Sequence, residues 1–224
     1  MMVSLCIVAF NSLADGFRVN ATRLVYNGEQ KNISVNLENT HKSGNFLVKT
    51  SVSKDNVRYV PASFIVTPNV FRLDSGNIQR ALISYKGENL PKDRESVFYF
   101  KATAIPANSF FGEELDASML KFAFSHTIKI FYRPKELGEK QDFDKKITFS
   151  NVSGGVMVLN TSPFYVSLAE LKIDGKKIFL DSNNAGMLEP FENKIYASLK
   201  VSENASWGEI NDYGGVDFFE VKIN

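Results

Sequence analysis

Two histidines, His41 and His126, and one cysteine, Cys6, are the chain's whole stock of imidazole and thiol groups. One cysteine forms neither an internal disulfide nor a Cys-based zinc site, and two histidines argue against a multi-His metal centre. A Ser-His-Asp triad would have to use one of these histidines. His41 lies in a polar turn, Asn39-Thr40-His41-Lys42, and His126 lies inside a long strand pattern, so both read as structural. No G-x-S-x-G, H-E-x-x-H, G-x-x-x-x-G-K or G-x-G-x-x-G motif occurs. Asp142-Phe143-Asp144 lacks the spacing and the distal Glu of a calcium loop and reads as a solvated linker. The expectation is a protein with no catalytic residue, no metal and no cofactor. Five N-x-S/T sequons stand at Asn20, Asn32, Asn151, Asn160 and Asn204. They would mark a glycosylated ectodomain in a eukaryotic secreted chain, but so short a pattern also arises by chance in a chain rich in Asn, Ser and Thr.

Bulk charge adds little. The 224 residues hold 26 Lys+Arg against 25 Asp+Glu, a formal net charge of +1. That argues against nucleic-acid binding through overall charge, while leaving room for a small basic site. The length allows one large domain or two of about 100 residues.

Near the start, Val3 to Phe10 (VSLCIVAF) is an apolar run too short for a membrane span, which takes about 20 residues. Ser12 and Ala14 then follow a small-x-small pattern, so residues 1–14 read as a signal peptide cleaved before Asp15. No Lys or Arg precedes the run; the other reading is a buried first strand. Cleavage would remove Cys6 and leave an exported chain without cysteine that is not inserted in a membrane.

The remainder reads as strands. Ile33, Val35 and Leu37 alternate with Ser34 and Asn36, the period of a sheet with one buried face. Phe46 to Val52, Phe64 to Thr67, Arg80 to Tyr85 and Ser96 to Ile105 are further β-type runs, separated by turn signals such as Ser43-Gly44 and Ser75-Gly76. Leu120 to Arg133 alternates over its whole length, with Leu120, Phe122, Phe124, His126 and Ile128 on one face and Lys129 and Arg133 on the other. After Pro134 a polar stretch reads as a linker, 135–144, and strand patterns resume near Ile147. Asp174-Gly175 predicts a hairpin between Leu171-Lys172-Ile173 and Ile178-Phe179-Leu180. The pattern therefore predicts an all-β chain of two domains, 17–134 and 145–224, of antiparallel sandwich type.

Several ordered segments carry a resemblance. Leu90-Pro91-Lys92-Asp93-Arg94-Glu95-Ser96-Val97-Phe98-Tyr99-Phe100 resembles the LPxDRES-apolar-FYF signature of the periplasmic chaperones of the chaperone–usher pathway. Those proteins escort pilus and fimbrial subunits in Gram-negative bacteria. Thr127 to Pro134 (TIKIFYRP) is similar to the family's KLFYRP strand end. Val152-Ser153-Gly154-Gly155, Asn160 to Val166 (NTSPFYV) and Ile210 to Gly215 (INDYGG) are similar to its VSGG, NPTPYYV and INDYGG motifs.

The resemblance implies two immunoglobulin-like sandwiches in an L-shaped, boomerang arrangement. It also implies a non-enzymatic chaperone that caps a subunit by donor-strand complementation, a form of strand addition, and delivers it to an outer-membrane usher. By position, Leu120, Phe122 and Phe124 would enter the subunit's groove. The family's carboxylate anchor maps to Arg23, in Thr22 to Gly28 (TRLVYNG), and to Lys129. The fork of an Arg and the point charge of a Lys suit one terminal carboxylate. An interdomain ion-pair group maps to Glu95, Arg133 and Asp212, and a cis bond to Thr67-Pro68. The chain departs from many relatives in lacking a cysteine pair, and the loop from Pro106 to Leu120 is longer than in the short-loop branch, to which the missing cysteines nonetheless point. The competing reading is a secreted immunoglobulin-like adhesive or structural protein.

Overall fold

The computed structural model describes residues 16–87, 89–106, 122–138, 140, 147–180, 186–197 and 204–222. Residues 1–14, the loop before Leu120, Leu120 itself and part of the 135–144 linker lie outside the described residues.

The first domain is a sandwich of two sheets. One holds β1 (Phe17–Val19), β3 (Ile33–Asn39), β7 (Ile78–Tyr85) and β5 (Phe64–Thr67) in that order. The other runs β2 (Arg23–Asn27), β9 (Phe124–Arg133), β8 (Ser96–Pro106), β4 (Phe46–Ser53) and β6 (Val70–Leu73). The alternation in β3 puts Val35 and Leu37 inside, and β8 sends Phe98, Phe100, Ala102 and Ala104 to the same core, where they meet Val48, Ile83 and Ile130. Each large aliphatic or aromatic side chain fully buried there contributes roughly 1.5–3 kcal/mol. The chain enters on the first sheet and crosses to the second within Asn20–Thr22. As a result β1 pairs antiparallel with β3, whereas β2 pairs parallel with β9. The Thr67-Pro68 bond is cis.

The second domain repeats the plan. β10 (Ile147–Val152), β11 (Gly155–Asn160) and β15 (Asn193–Ala197) form one sheet. The other contains β13 (Lys176–Lys177), β12 (Val166–Ile173), β16 (Asn204–Ile210) and β17 (Val216–Lys222), with β14 (Met187–Leu188) added to β12. Their facing sides close over Val156, Val158, Leu171, Ile173 and Trp207.

Two strands are shorter than their patterns predict. Within the described residues, the run expected from Leu120 is paired from Phe124, opposite Ala104, and Phe122 and Ala123 before it lie outside the ladder. At the Asp174-Gly175 turn, with φ of 48° and 75°, the return arm is Lys176–Lys177 and not Ile178–Leu180. The two-residue turn sets Lys176 opposite Ile173, and after the Ile178 N–H bonds to Leu171 O at 2.8 Å the chain leaves the sheet with Phe179 exposed. No helix among the described residues is long and apolar enough to cross a membrane.

Candidate functional site

The parallel pairing of β2 with β9 places Arg23 directly beside Lys129. Across the next ladder Lys129 faces Tyr99 of β8, so the three side chains form a row over three adjacent strands. Both cations are half-buried and Tyr99 is buried. Burial pushes the Lys129 ammonium below its ordinary pKa, and the charges of Arg23 and Lys194 push it the same way. Burial also lowers Arg23, against which Asp212, Glu209 and Glu95 act as partial compensation. Among the described residues Lys129 has no acidic partner. Arg23 donates from Nη1 to Ile210 O at 2.8 Å and rests 5.4 Å from the Phe131 ring centroid, but its buried Nε has no acceptor. Two adjacent cations short of acceptors are an arrangement that suits an anion.

Phe131 and Arg133, on the same face of β9 as Lys129, look toward the second domain. Phe131 packs on Tyr165 at 5.7 Å and forms a small buried cluster with it and Met187. Arg133 stands between the other two residues of the sequence-expected trio. Its Nε donates to Glu95 Oε1 at 2.9 Å, and its Nη2 to Asp212 Oδ2 at 3.0 Å. Glu95 Oε2 accepts the Tyr165 N–H at 2.8 Å, and the Glu95 N–H donates to Pro163 O at 2.9 Å. An exposed ion pair is worth only about 0–1 kcal/mol. The geometry differs: the Glu95 and Arg133 side chains are 1% and 8% exposed, and only Asp212, at 28%, reaches solvent. Burial pushes the Glu95 carboxyl up, while Arg133, Lys140 and the Tyr165 N–H pull it back.

The donor-strand residues fall differently. The β8–β9 ladder has no register shift from Phe124 to Tyr132, so Phe124 and Lys129 point to opposite faces. Phe124 shares its face with Ile128 and the fully buried Ile130 and meets the ring of Phe46 edge-on at 5.9 Å. It is nevertheless 42% exposed, and Phe122 is 64% exposed. The third residue, Leu120, is outside the described set. β2 accompanies β9 only over Lys129–Arg133; from Phe124 to Ile128 that edge of β9 has no strand beside it among the described residues.

Other contacts were invisible in the sequence. Lys140, read as part of a solvated linker, forms a nearly buried ion pair with Glu209 at 2.9 Å and donates to Tyr165 O at 3.1 Å. His126 Nε2 donates to Phe17 O at 3.0 Å, and His41 Nδ1 accepts the Ser43 N–H at 3.2 Å, both structural roles. Among the sequons, Asn160 is fully buried, with Nδ2 donating to Phe164 O at 2.7 Å and Glu189 O at 2.9 Å, so it accepts no glycan in the folded chain. Cys6 and Ala14 lie outside the described residues.

Comparison with known proteins accounts for nearly the whole chain. Residues 16–138 match the pili and flagellar-assembly chaperone family, PapD N-terminal domain, and residues 142–219 match the pili assembly chaperone PapD, C-terminal domain. The chaperone protein FanE of Escherichia coli is 31% identical over 228 residues, covering 99% of this chain and 96% of FanE. The crystal structure of the E. coli chaperone DraB superposes with a TM-score of 0.77 at 27% identity, covering 93% of this chain and 97% of DraB. The SafB chaperone of Salmonella enterica, solved in complex with the SafA pilin, gives a TM-score of 0.79 at 24% identity over 95% of this chain and 98% of SafB, a likeness of fold. With both domains matched in order, the chain belongs to the PapD family of pilus-assembly chaperones.

Proposed function

We propose that this chaperone caps a pilus or fimbrial subunit by strand addition along β9, holds the subunit's C-terminal carboxylate at Arg23 and Lys129, and passes it in the periplasm to an outer-membrane usher. The observation that carries the reading is the alignment of β9's unaccompanied edge, Phe124–Ile128, with β2, which begins at Arg23 beside Lys129. A guest strand on that edge running parallel to β9 is collinear with β2 and ends where β2 begins. Its carboxylate then arrives at two cations, whereas a guest running the other way would bring its ammonium to the same pair and be repelled. Backbone pairing along the edge satisfies N–H and C=O groups that a strand-deficient subunit leaves open. Phe122, mostly exposed, would add roughly 1.5–3 kcal/mol on burial in a subunit groove, and the already half-covered Phe124 less, against the cost of association. SafB's complex with a pilin supports a subunit as the partner. Glu95, Arg133 and Asp212 would hold the two domains in the orientation that keeps the anchor open to the guest.

The test is co-purification of a fimbrial subunit with Arg23→Ala and Lys129→Ala. Both variants are expected to fold and to lose the subunit. Undiminished recovery with both would refute the anchor.

A further inference from the structure

Phe191 is a bulky aromatic residue in the left-handed region, at φ 61°. A turn with this backbone is ordinarily made with Gly or Asn, because a side chain with Cβ pays for the conformation. The second domain's own core does not explain the choice, since the Phe191 ring is 45% exposed and is absent from the buried cluster of that domain. The ring's partner lies in the other domain: the Arg94 guanidinium sits 5.1 Å from its centroid. Arg94 is itself oriented by Asp93, with Nε donating to Oδ1 at 3.3 Å and Nη2 to Oδ2 at 3.0 Å, and Glu192 adds a favourable charge beside it. The turn is held from behind by the Phe191 N–H, which donates to Ser162 O at 3.2 Å, and by the Asn160 N–H, which donates to Glu192 O at 2.9 Å.

We infer that Arg94 and Phe191 form a second interdomain latch, distinct from the Arg133 group, that fixes the domain orientation required for subunit capture. This rests on the subunit-capping function proposed above. The first domain's Asp93-Arg94-Glu95 segment then grips the second domain at two places. Glu95 holds Pro163 and Tyr165, and Arg94 holds the Phe191 turn. The left-handed backbone at Phe191 lays its ring under the Arg94 guanidinium. Strain kept for function has a signature that ordinary structural contacts lack: relieving it spares stability and harms capture.

Phe191→Gly provides that separation, because it suits the backbone and removes the ring. The measurements are the urea unfolding midpoint, subunit affinity, and the interdomain distance distribution from spin labels at the exposed positions Lys101 and Lys176, introduced as cysteines in a Cys6→Ser background. Phe191→Gly is expected to keep or raise the urea midpoint, broaden the distance distribution and weaken subunit binding about fivefold, the equivalent of one cation–π contact. Arg94→Ala should broaden the distribution and weaken binding similarly, and Phe191→Tyr should match wild type. Wild-type distance distribution and affinity in Phe191→Gly would overturn the latch, as would a lowered urea midpoint accompanying the lost affinity. If the wild-type protein itself captures no subunit, the capping function fails instead, and the distance distributions alone decide the latch.

Discussion

Replacing Lys129 by Met should push the free chaperone and its complex in opposite directions. Met keeps most of the side chain's length and removes its charge. In the free protein Lys129 is half-buried beside Arg23 with no acidic partner among the described residues. Two unit charges one strand spacing apart, about 5 Å, at an effective dielectric of about 20 repel by about 3 kcal/mol, and solvent and salt at these partly exposed groups reduce that to about 1 kcal/mol or less. Asp212, Glu209 and Glu95 offset part of the field at Arg23. Lys129→Met should therefore stabilise the free chaperone by about 0.5–1 kcal/mol. The complex instead loses a charge-assisted bond worth about 1.5–3 kcal/mol, a drop in affinity of about 10- to 150-fold. Urea unfolding measures the first effect. Titration with a subunit-derived C-terminal peptide, as free carboxylate and as amide, measures the second, and the variant should show a reduced preference for the carboxylate, the remainder coming from Arg23. Raising the pH performs the same experiment reversibly. Because the folded pKa of Lys129 lies below its ordinary 10.5, the unfolded chain binds that proton more tightly. Stability from this group accordingly rises as pH climbs through the lowered value towards 10.5, while carboxylate capture falls over the same window. A Lys129→Met protein less stable than wild type, or one that keeps the full preference for carboxylate over amide, would refute this reasoning.

Two further outcomes follow from burial. Glu95→Ala leaves Arg133 buried with Asp212 alone and orphans the Tyr165 N–H, so it should cost about 3–5 kcal/mol in urea unfolding, whereas Asp212→Ala, at the exposed end of the group, should cost about 1 kcal/mol. Equal losses would mean that the buried end is not where the interaction energy lies. Phe122→Ala should leave the free chaperone within about 0.5 kcal/mol of wild type, since its side chain is mostly in solvent, yet weaken the subunit complex by about 1.5–3 kcal/mol. Competition with a labelled subunit would show it, and unchanged affinity would remove Phe122 from the donor face.

Much of the architecture was legible because period-two alternation is a local property. Val35 and Leu37 had to share a face whatever strand lay beside them, and the phase between Phe124 and Lys129 was readable because no bulge interrupts it. The places where the reading fell short are those where the partner lies far along the chain. Lys140 looked like one more solvated charge until Glu209 came into contact with it, and nothing near Arg23 announces a hydrogen bond to the backbone of Ile210. The charges of Glu95 and Arg133 were identifiable by likeness to a family, but their burial was not, because burial depends on a second domain closing over the first.

The same distinction separates the two halves of β9. Alternation describes Phe124–Ile128 and Lys129–Arg133 identically, and only the end point of β2 distinguishes them. Where β2 runs alongside, β9 is an interior strand whose outward face, through Phe131 and Arg133, is used up in joining the domains. Where β2 is absent, no strand among the described residues lies beside β9, Phe124 is only half-covered, and Phe122 lies exposed just before it. Arg23 and Lys129 sit at the boundary. In the proposed complex a guest strand that takes up β2's missing length would end at that pair, so the length of β2 would set both how much edge is offered and where the guest's terminus lies. Extending β2 by residues that pair with Ile128 would shorten the offered edge and move the end of the guest away from Lys129. In the proposed function, charge and edge would therefore act together in subunit capture, and neither would select a strand's C-terminus alone.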